Sequence, residues 1–147
     1  MRIYLDNCCY NRPFDDQENV IVRLETRAKL TIQSLIKFGA LDLVSSFMLL
    51  FEISAIETEY IKSNILNFVS ANAKVYVAKD KLENIMPIAE QIMLTGVKQS
   101  DAIHVACAVV ASCAYFISTD KRLLKYKSDS IKLIDPIDFI RLEEGKI

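Results

Sequence analysis

Four acidic side chains of this 147-residue chain each border apolar sequence, a placement in which carboxylates can hold a cation. Asp6 follows RIYL, Asp120 follows AYFIST, Glu52 lies within FMLLFEIS and Asp101 opens DAIHVACAVVAS. Burying an ionised carboxylate is costly unless a positive charge meets it. We therefore expect the four carboxylates to converge on one shared divalent cation.

Each acid also has a simpler interpretation. An aspartate that follows a strand can cap the next helix, because its side-chain oxygen accepts a free backbone N–H. Ser100 or Asp101 could open the apolar helix in this way, and Glu52 could lie at a helix edge with its carboxylate in water. For each acid taken singly, these alternatives remain open.

The donor types favour a hard cation. Converging carboxylates repel one another, and some would hold protons at neutral pH without a cation between them. Mg²⁺ and Mn²⁺ prefer oxygen ligands and retained waters. The chain has one histidine and four cysteines without a CxxC pair, which disfavours zinc. A magnesium or manganese ion held in this way activates water and stabilises charge on a phosphoryl group.

The histidine and the two cysteines near the first acid are other candidates for chemistry. The titration range of His104 suits proton transfer, but a lone histidine on an apolar helix is more often a hydrogen-bonded core residue. Cys8 and Cys9 have no neighbour in sequence that would lower a thiol pKa, so we interpret them as packing residues. Their adjacency makes a poor disulfide framework, which predicts reduced thiols in the cytoplasm.

Strand-like and helix-like segments alternate along the whole chain. This alternation predicts an α/β fold with three layers, in which a mostly parallel twisted sheet of about five strands is flanked by helices. We expect one domain, residues 1–147. The strand candidates are residues 2–5, 41–45, 74–78, 114–118 and 131–134. Ligands of open α/β sheets lie beyond the carboxyl ends of the strands, so Asp6 and Asp120 should share one edge.

Capping residues predict where two of the helices begin. Asp15 or Asp16 should cap a long helix that ends at Gly39, where a left-handed turn is easiest. Asp80 and Glu83 have the spacing of a capping box for a later helix.

Charge and hydropathy limit the classes of partner. A formal net charge of −1 excludes coating of nucleic acid by bulk positive charge, although a local basic rim remains possible. Residues 102–119 lack formal charge, but polar residues interrupt them and a strand ends them, so we expect a buried helix and no membrane span. No secretory signal is expected at the N-terminus. The apolar content of 52% predicts a homodimer.

The segments YLDN, SSFMLLFE, KQSDAIHVACA and FISTDKRLL, in this order, resemble the PIN-domain nucleases across nearly the whole chain. The resemblance implies a parallel-sheet α/β fold and cleavage of RNA phosphodiesters with Mg²⁺ or Mn²⁺. Thr119 matches the hydroxyl residue that commonly precedes the last acid of the family. The acidic cluster of the family is matched by Asp6, Glu52, Asp101 and Asp120.

Many small single-domain proteins of this family, the VapC-like toxins, are toxins of toxin–antitoxin pairs and are inhibited by a small partner protein. The resemblance therefore implies a metal-dependent endoribonuclease in the cytoplasm, with an RNA substrate and a small antitoxin. Some family members carry a further acid after the last aspartate, whereas DKRLLKYK is basic here. This change predicts a basic rim for a polyanionic substrate, with Lys98, Lys121 and Arg122 as substrate-binding candidates.

Two other functions are compatible with the sequence. A catalytically silent PIN-like domain would bind RNA or a partner protein and keep the acids for structure. A receiver or phosphohydrolase of similar topology is less favoured, because the phosphohydrolase pattern requires an aspartate where Cys8 stands.

Overall fold

The computed structural model describes residues 1–145, which form five strands and seven α-helices. The strands are β1 (Arg2–Leu5), β2 (Asp42–Ser46), β3 (Ala73–Val77), β4 (Tyr115–Ile117) and β5 (Lys132–Ile134). The helices are α1 (Asn7–Asn11), α2 (Val20–Lys37), α3 (Phe47–Ser54), α4 (Glu59–Asn72), α5 (Leu82–Met93), α6 (Gln99–Val110) and α7 (Pro136–Glu144).

The five strands form one parallel sheet in the order β3-β2-β1-β4-β5. β1 lies in the middle, where Ile3 is opposite Leu43 of β2 on one side and Tyr115 of β4 on the other. A parallel sheet covered on both faces explains why its strands are apolar almost throughout. The predicted fold class, a three-layer α/β architecture around a parallel sheet of about five strands, is confirmed.

Side chains of the central strand alternate between two hydrophobic cores, as the period of a strand requires. Tyr4 packs in the core on the α5 and α6 face of the sheet. Ile3 and Leu5 pack in the core on the opposite face, with side chains from α2, α3, α4 and α7. The sheet therefore holds its first strand on both sides, which fixes the position of the acid that follows it.

The apolar segment after Asp101 is a core helix and a core strand. Ala102, Val105 and Ala106 of α6 are fully buried, and Phe116 of β4 is buried on the same face of the sheet. Within residues 1–145, none of the helices has the length and apolar character needed to cross a membrane.

Helix α2 begins later than its predicted cap. Asn19 is the capping residue, and its side-chain oxygen accepts the backbone N–H of Val22 at 3.1 Å. Asp15 instead pairs with Arg12, so the predicted Asp15 or Asp16 cap is wrong. The end is as predicted, because Gly39 follows the helix with a φ of 82°.

The predicted capping box before α5 is also wrong. A short 3-10 turn, Lys79–Lys81, precedes this helix, and Lys81 occupies the capping position without a side-chain hydrogen bond. Asp80 lies inside the 3-10 turn, where it cannot act as the cap.

Candidate active site

The four predicted acids line one open pocket of about 370 Å³ at the carboxyl edge of the sheet. Asp6 follows β1 and Asp120 follows β4, Glu52 lies on α3 and Asp101 lies in the first turn of α6. Residues distant in the chain meet here because β1 lies between β2 and β4. The remaining lining residues are Asn7, Cys8, Asn11, Arg12, Asp15 and Lys98.

Asp6 both caps a helix and faces the pocket. Its Oδ1 accepts the backbone N–H of Asn7 at 2.8 Å, which caps α1. Its Oδ2 accepts the hydroxyl of Ser118 at 2.8 Å, and the side chain is almost fully buried. These bonds hold the carboxylate in one orientation on the pocket wall.

Asp120 is held by the turn that follows β4. Its Oδ1 accepts the backbone N–H groups of Arg122 at 3.0 Å and Leu123 at 3.3 Å. The hydroxyl oxygen of Ser118 accepts the N–H of Asp120 at 3.1 Å while the same hydroxyl donates to Asp6. Ser118 therefore joins the first and last acids, a role that the sequence does not signal because neighbouring Thr119 is also a hydroxyl residue.

Two of the predicted substrate-binding residues lie away from the pocket lining. Thr119 is only 7% exposed, and its backbone N–H donates to the sulfur of Cys8 at 3.4 Å. Lys121 is exposed and is absent from the described linings of this pocket and of the adjoining basic pocket.

Asp101 is not a helix cap. Helix α6 begins at Gln99, and Lys98 is its capping residue without a side-chain hydrogen bond, so the Ser100 or Asp101 cap is excluded. The Asp101 carboxylate lies 3.9 Å from the ammonium of Lys98. Burial raises the pKa of Asp101, and the carboxylates of Asp6 and Asp120 raise it further, although Lys98 and His104 oppose them. This mutual repulsion among acids is what a bound cation would relieve.

Glu52 approaches Asp6 and His104. One potential ligand atom from each of these three residues lies within 4.8 Å of the other two, a spacing compatible with a bound metal ion. The Oε1 atom of Glu52 lies 2.6 Å from Nε2 of His104. The cluster supplies mainly carboxylate oxygens, which fits Mg²⁺ or Mn²⁺ better than zinc.

His104 is a buried residue with a partner at each ring nitrogen. Its Nδ1 lies 2.6 Å from the hydroxyl oxygen of Tyr4, and the residue is 1% exposed. The prediction of a hydrogen-bonded core histidine is confirmed. Because both nitrogens are occupied by protein partners, the carboxylates are the better metal donors.

The packing interpretation is confirmed for both adjacent cysteines, because Cys9 is fully buried and Cys8 is partly buried against the same core. Cys8 also borders the acidic pocket, and the expectation that nothing lowers a thiol pKa here is wrong for this residue. A hydrogen bond from the Cys9 thiol lowers the pKa of Cys8, with further help from Ser118 and Thr119, against burial and the Asp6 charge. All four cysteines are free thiols, as predicted.

An arginine clamp borders the acidic pocket and was not predicted. The Nε of Arg12 donates to the buried Glu25 at 3.0 Å, and its Nη1 donates to Asp15 at 2.8 Å. These bonds fix a guanidinium at the edge of the acids. Glu25 lies on α2, and nothing in its sequence context signals a partner thirteen positions away.

A second pocket of about 590 Å³ adjoins the acidic one and shares Lys98, Asp101 and Asp120 with it. Its wall includes the 95–97 loop, and its other charged residues are all cationic, namely Arg122, Lys125 and Lys127. We call it the basic pocket. Anionic and cationic surfaces therefore meet at two of the acids.

Comparison with protein-family models and with curated protein sequences returns no match. Solved structures do resemble the chain. VapBC2 from Rickettsia felis bound to a promoter DNA fragment has a TM-score of 0.57 at 10% identity, covering 92% of this chain and 98% of that chain. FitAB bound to the IR36 DNA fragment has a TM-score of 0.59 at 18% identity, covering 92% and 95%.

FitAcB from Neisseria gonorrhoeae has a TM-score of 0.57 at 16% identity, covering 91% of this chain and 97% of that chain. These structures are toxin–antitoxin complexes, and their toxins are PIN-domain proteins. At these identities the likeness shows the fold. The PIN-like fold predicted from the sequence is confirmed.

Proposed function

We propose that this protein is a metal-dependent endoribonuclease and the toxin of a toxin–antitoxin pair. The observation that carries the proposal is the convergence of four carboxylates, from four separate elements, on one pocket at the carboxyl edge of the sheet. The shared fold with toxin–antitoxin complexes supports it.

In this proposal Asp6 and Glu52 hold Mg²⁺ or Mn²⁺ directly, and Asp101 and Asp120 hold it directly or through water. The ion, when bound, supplies an activated water and stabilises charge on the phosphoryl group. The protein contributes orientation, because Ser118 fixes Asp6 and the turn after β4 fixes Asp120. Asp15 and Glu25 offset the charge of Arg12 but fix its guanidinium at the pocket edge, where its remaining N–H donors can contact a phosphate.

The basic pocket provides a path for the RNA backbone beyond the acids. Lys98 lines both pockets, and Arg122 lines the basic one, which supports their proposed contact with substrate. Lys125 and Lys127 join them there. Contacts of Thr119 and Lys121 with substrate stay predictions.

The cleavage test uses single-stranded RNA, because sequence-specific proteins recognise RNA mainly in loops and ends. We expect the purified protein to cut such RNA with Mn²⁺ or Mg²⁺, to stop when EDTA is added, and to resume when excess metal is restored. Gel analysis of end-labelled fragments measures internal cutting. Absence of cutting by a folded, metal-saturated protein across a pool of RNA sequences would favour the catalytically silent alternative.

Removing the two lysines Lys125 and Lys127 should weaken RNA binding at every sequence. Each phosphate contact to a single strand contributes about 0.7 to the slope of log affinity against log salt, so Lys125→Ala with Lys127→Ala should reduce that slope by about 1.4. Fluorescence anisotropy in EDTA measures binding without cleavage. Lys74→Ala with Lys132→Ala removes the same charge from exposed positions on β3 and β5. Equal slopes of log affinity against log salt for the two double variants would contradict an RNA path through the basic pocket.

We further propose a small antitoxin as partner, since the structural neighbours are complexes with antitoxins. A segment of the antitoxin would lie across the acidic pocket and place an arginine among the carboxylates. The predicted homodimer stays a proposal. Phe38, Phe51 and Leu94 are exposed apolar side chains on which such contacts could form.

A further inference from the structure

A buried chain of hydrogen bonds runs from the core to Glu52. The hydroxyl groups of Ser46 and Tyr4 lie 2.6 Å apart, Tyr4 lies 2.6 Å from Nδ1 of His104, and Nε2 lies 2.6 Å from Glu52. Ser46, Tyr4 and His104 are at most 1% exposed. Burial of so many polar atoms is costly unless each is satisfied.

An ionised carboxylate can only accept hydrogen bonds, which fixes the direction of the bond between His104 and Glu52. Nε2 of His104 then carries the proton that Glu52 accepts, and in the arrangement that gives each donor an acceptor Nδ1 accepts from the Tyr4 hydroxyl. Tyr4 in turn accepts from Ser46, whose oxygen accepts the backbone N–H of Leu49 at 3.1 Å. In this arrangement every donor of the chain has one acceptor.

The surroundings of Tyr4 hold it rigidly in this role. Its ring stacks on Phe116, with centroids 5.2 Å apart and an interplanar angle of 9°. Burial raises the pKa of Tyr4 well above its usual value, so the phenol stays protonated and its hydroxyl can donate a hydrogen bond. Tyr4, which is held by β1 and by stacking on Phe116, therefore sets the orientation of His104 on α6.

We infer that Tyr4 and His104 are positioning residues that hold Glu52 in the orientation required to bind the metal beside Asp6, with His104 itself outside the coordination shell. This inference rests on the proposed function, because it assigns Glu52 to the metal. Partners of this kind, one shell away from a metal, typically contribute about 10- to 100-fold to metal affinity.

Because His104 is the only histidine of the chain, its imidazole can be observed without assignment. A long-range proton–nitrogen correlation spectrum reports which ring nitrogen carries the proton. We expect a proton on Nε2 and none on Nδ1, both in metal-free protein and after saturation with Mg²⁺. Loss of the Nε2 proton on metal binding would make His104 a ligand and overturn the inference.

Variants test how much Tyr4 and His104 contribute to metal affinity, with Mn²⁺ binding measured by calorimetry. His104→Leu removes both hydrogen bonds and should weaken Mn²⁺ binding by about 10- to 100-fold. His104→Gln keeps an amide donor for Glu52 and a carbonyl acceptor for Tyr4, so it should restore affinity close to that of the wild type. Tyr4→Phe, nearly isosteric, should weaken binding in the same direction, and it replaces His104→Leu if that variant does not fold.

Tyr10→Phe is the matched control, since Tyr10 is equally buried but its hydroxyl has no hydrogen-bond partner within the described residues. It should bind Mn²⁺ as the wild type does. Unchanged affinity in Tyr4→Phe and His104→Leu would overturn the positioning role and leave the metal site standing. A wild-type protein that binds no Mn²⁺ would overturn both the positioning role and the proposed metal site.

Discussion

Asp101→Asn is expected to reduce RNA cleavage by about 100-fold or more while the protein remains folded. Loss of even an outer-shell partner of a metal costs up to about 100-fold, and Asp101 is proposed to hold the ion directly or through one water. The fold should survive because the amide has the same shape and the carboxylate does not cap α6. Initial rates on end-labelled single-stranded RNA, with Mn²⁺ at saturation, measure the effect.

Asp129→Asn is the control for this variant, because it removes an exposed aspartate from the loop before β5. It should cleave RNA at the wild-type rate. Wild-type activity in a folded Asp101→Asn protein would exclude the proposed role of Asp101. The two proteins purified side by side also separate the activity of this chain from a contaminating ribonuclease.

Mn²⁺ should raise the Tm of the wild-type protein and leave that of Asp101→Asn nearly unchanged. A ligand that binds only the folded state at 100 times its Kd adds about 2.7 kcal/mol to stability. For a chain near 150 residues each kcal/mol moves the Tm by about 2–4 °C, so a rise of about 5–10 °C is expected. Differential scanning calorimetry with and without Mn²⁺ measures it, and no shift at millimolar metal would favour the silent alternative.

The same measurement has a pH dependence set by Asp101. Its pKa is raised in the folded protein, chiefly by burial. In metal-free protein, its contribution to stability is fully present below the unfolded pKa of about 3.9 and is lost as the pH rises through the folded value. At pH 7 the charged group therefore opposes folding, and metal-free Asp101→Asn should melt no lower than the wild type.

As the pH falls towards the raised pKa, metal binding must increasingly displace a proton from Asp101, so the Mn²⁺-induced rise in Tm should shrink. Calorimetric scans from pH 7.5 down to pH 5 measure this trend. A rise in Tm that is the same at every pH would contradict an ion held by this carboxylate. A metal-free Asp101→Asn protein that melts well below the wild type at pH 7 would show that the charge supports the fold instead.

The sequence predicts the sheet and the positions of the acids because both depend on local pattern. The strand before Asp6 and the strand before Asp120 are apolar runs, and parallel strands bring their carboxyl ends to one edge. Glu52 is conspicuous because it interrupts an apolar helix. These inferences do not require knowing which strands pair with each other. The apolar composition and the hydrophobic period of each segment are sufficient.

Contacts between distant residues are what the sequence does not predict. Tyr4 looks like an ordinary strand residue, and only the fold brings its hydroxyl to His104, one hundred positions away. The choice of Ser118 over Thr119 depends on which hydroxyl reaches Asp6 in the segment after β4, and the fold brings the Ser118 hydroxyl there. Asn19 caps α2, while Asp15 pairs with Arg12 in the turn before that helix.

The central position of β1 has a consequence for synthesis on the ribosome. The strand that is translated first is completed only when β4 pairs with it, more than one hundred residues later along the chain. Pairing so distant in sequence is slow, and it leaves the nascent N-terminal strand without its second neighbour until then. The first and last acids therefore meet only after β4 and the turn that holds Asp120 have been translated, which delays any hydrolytic activity until then.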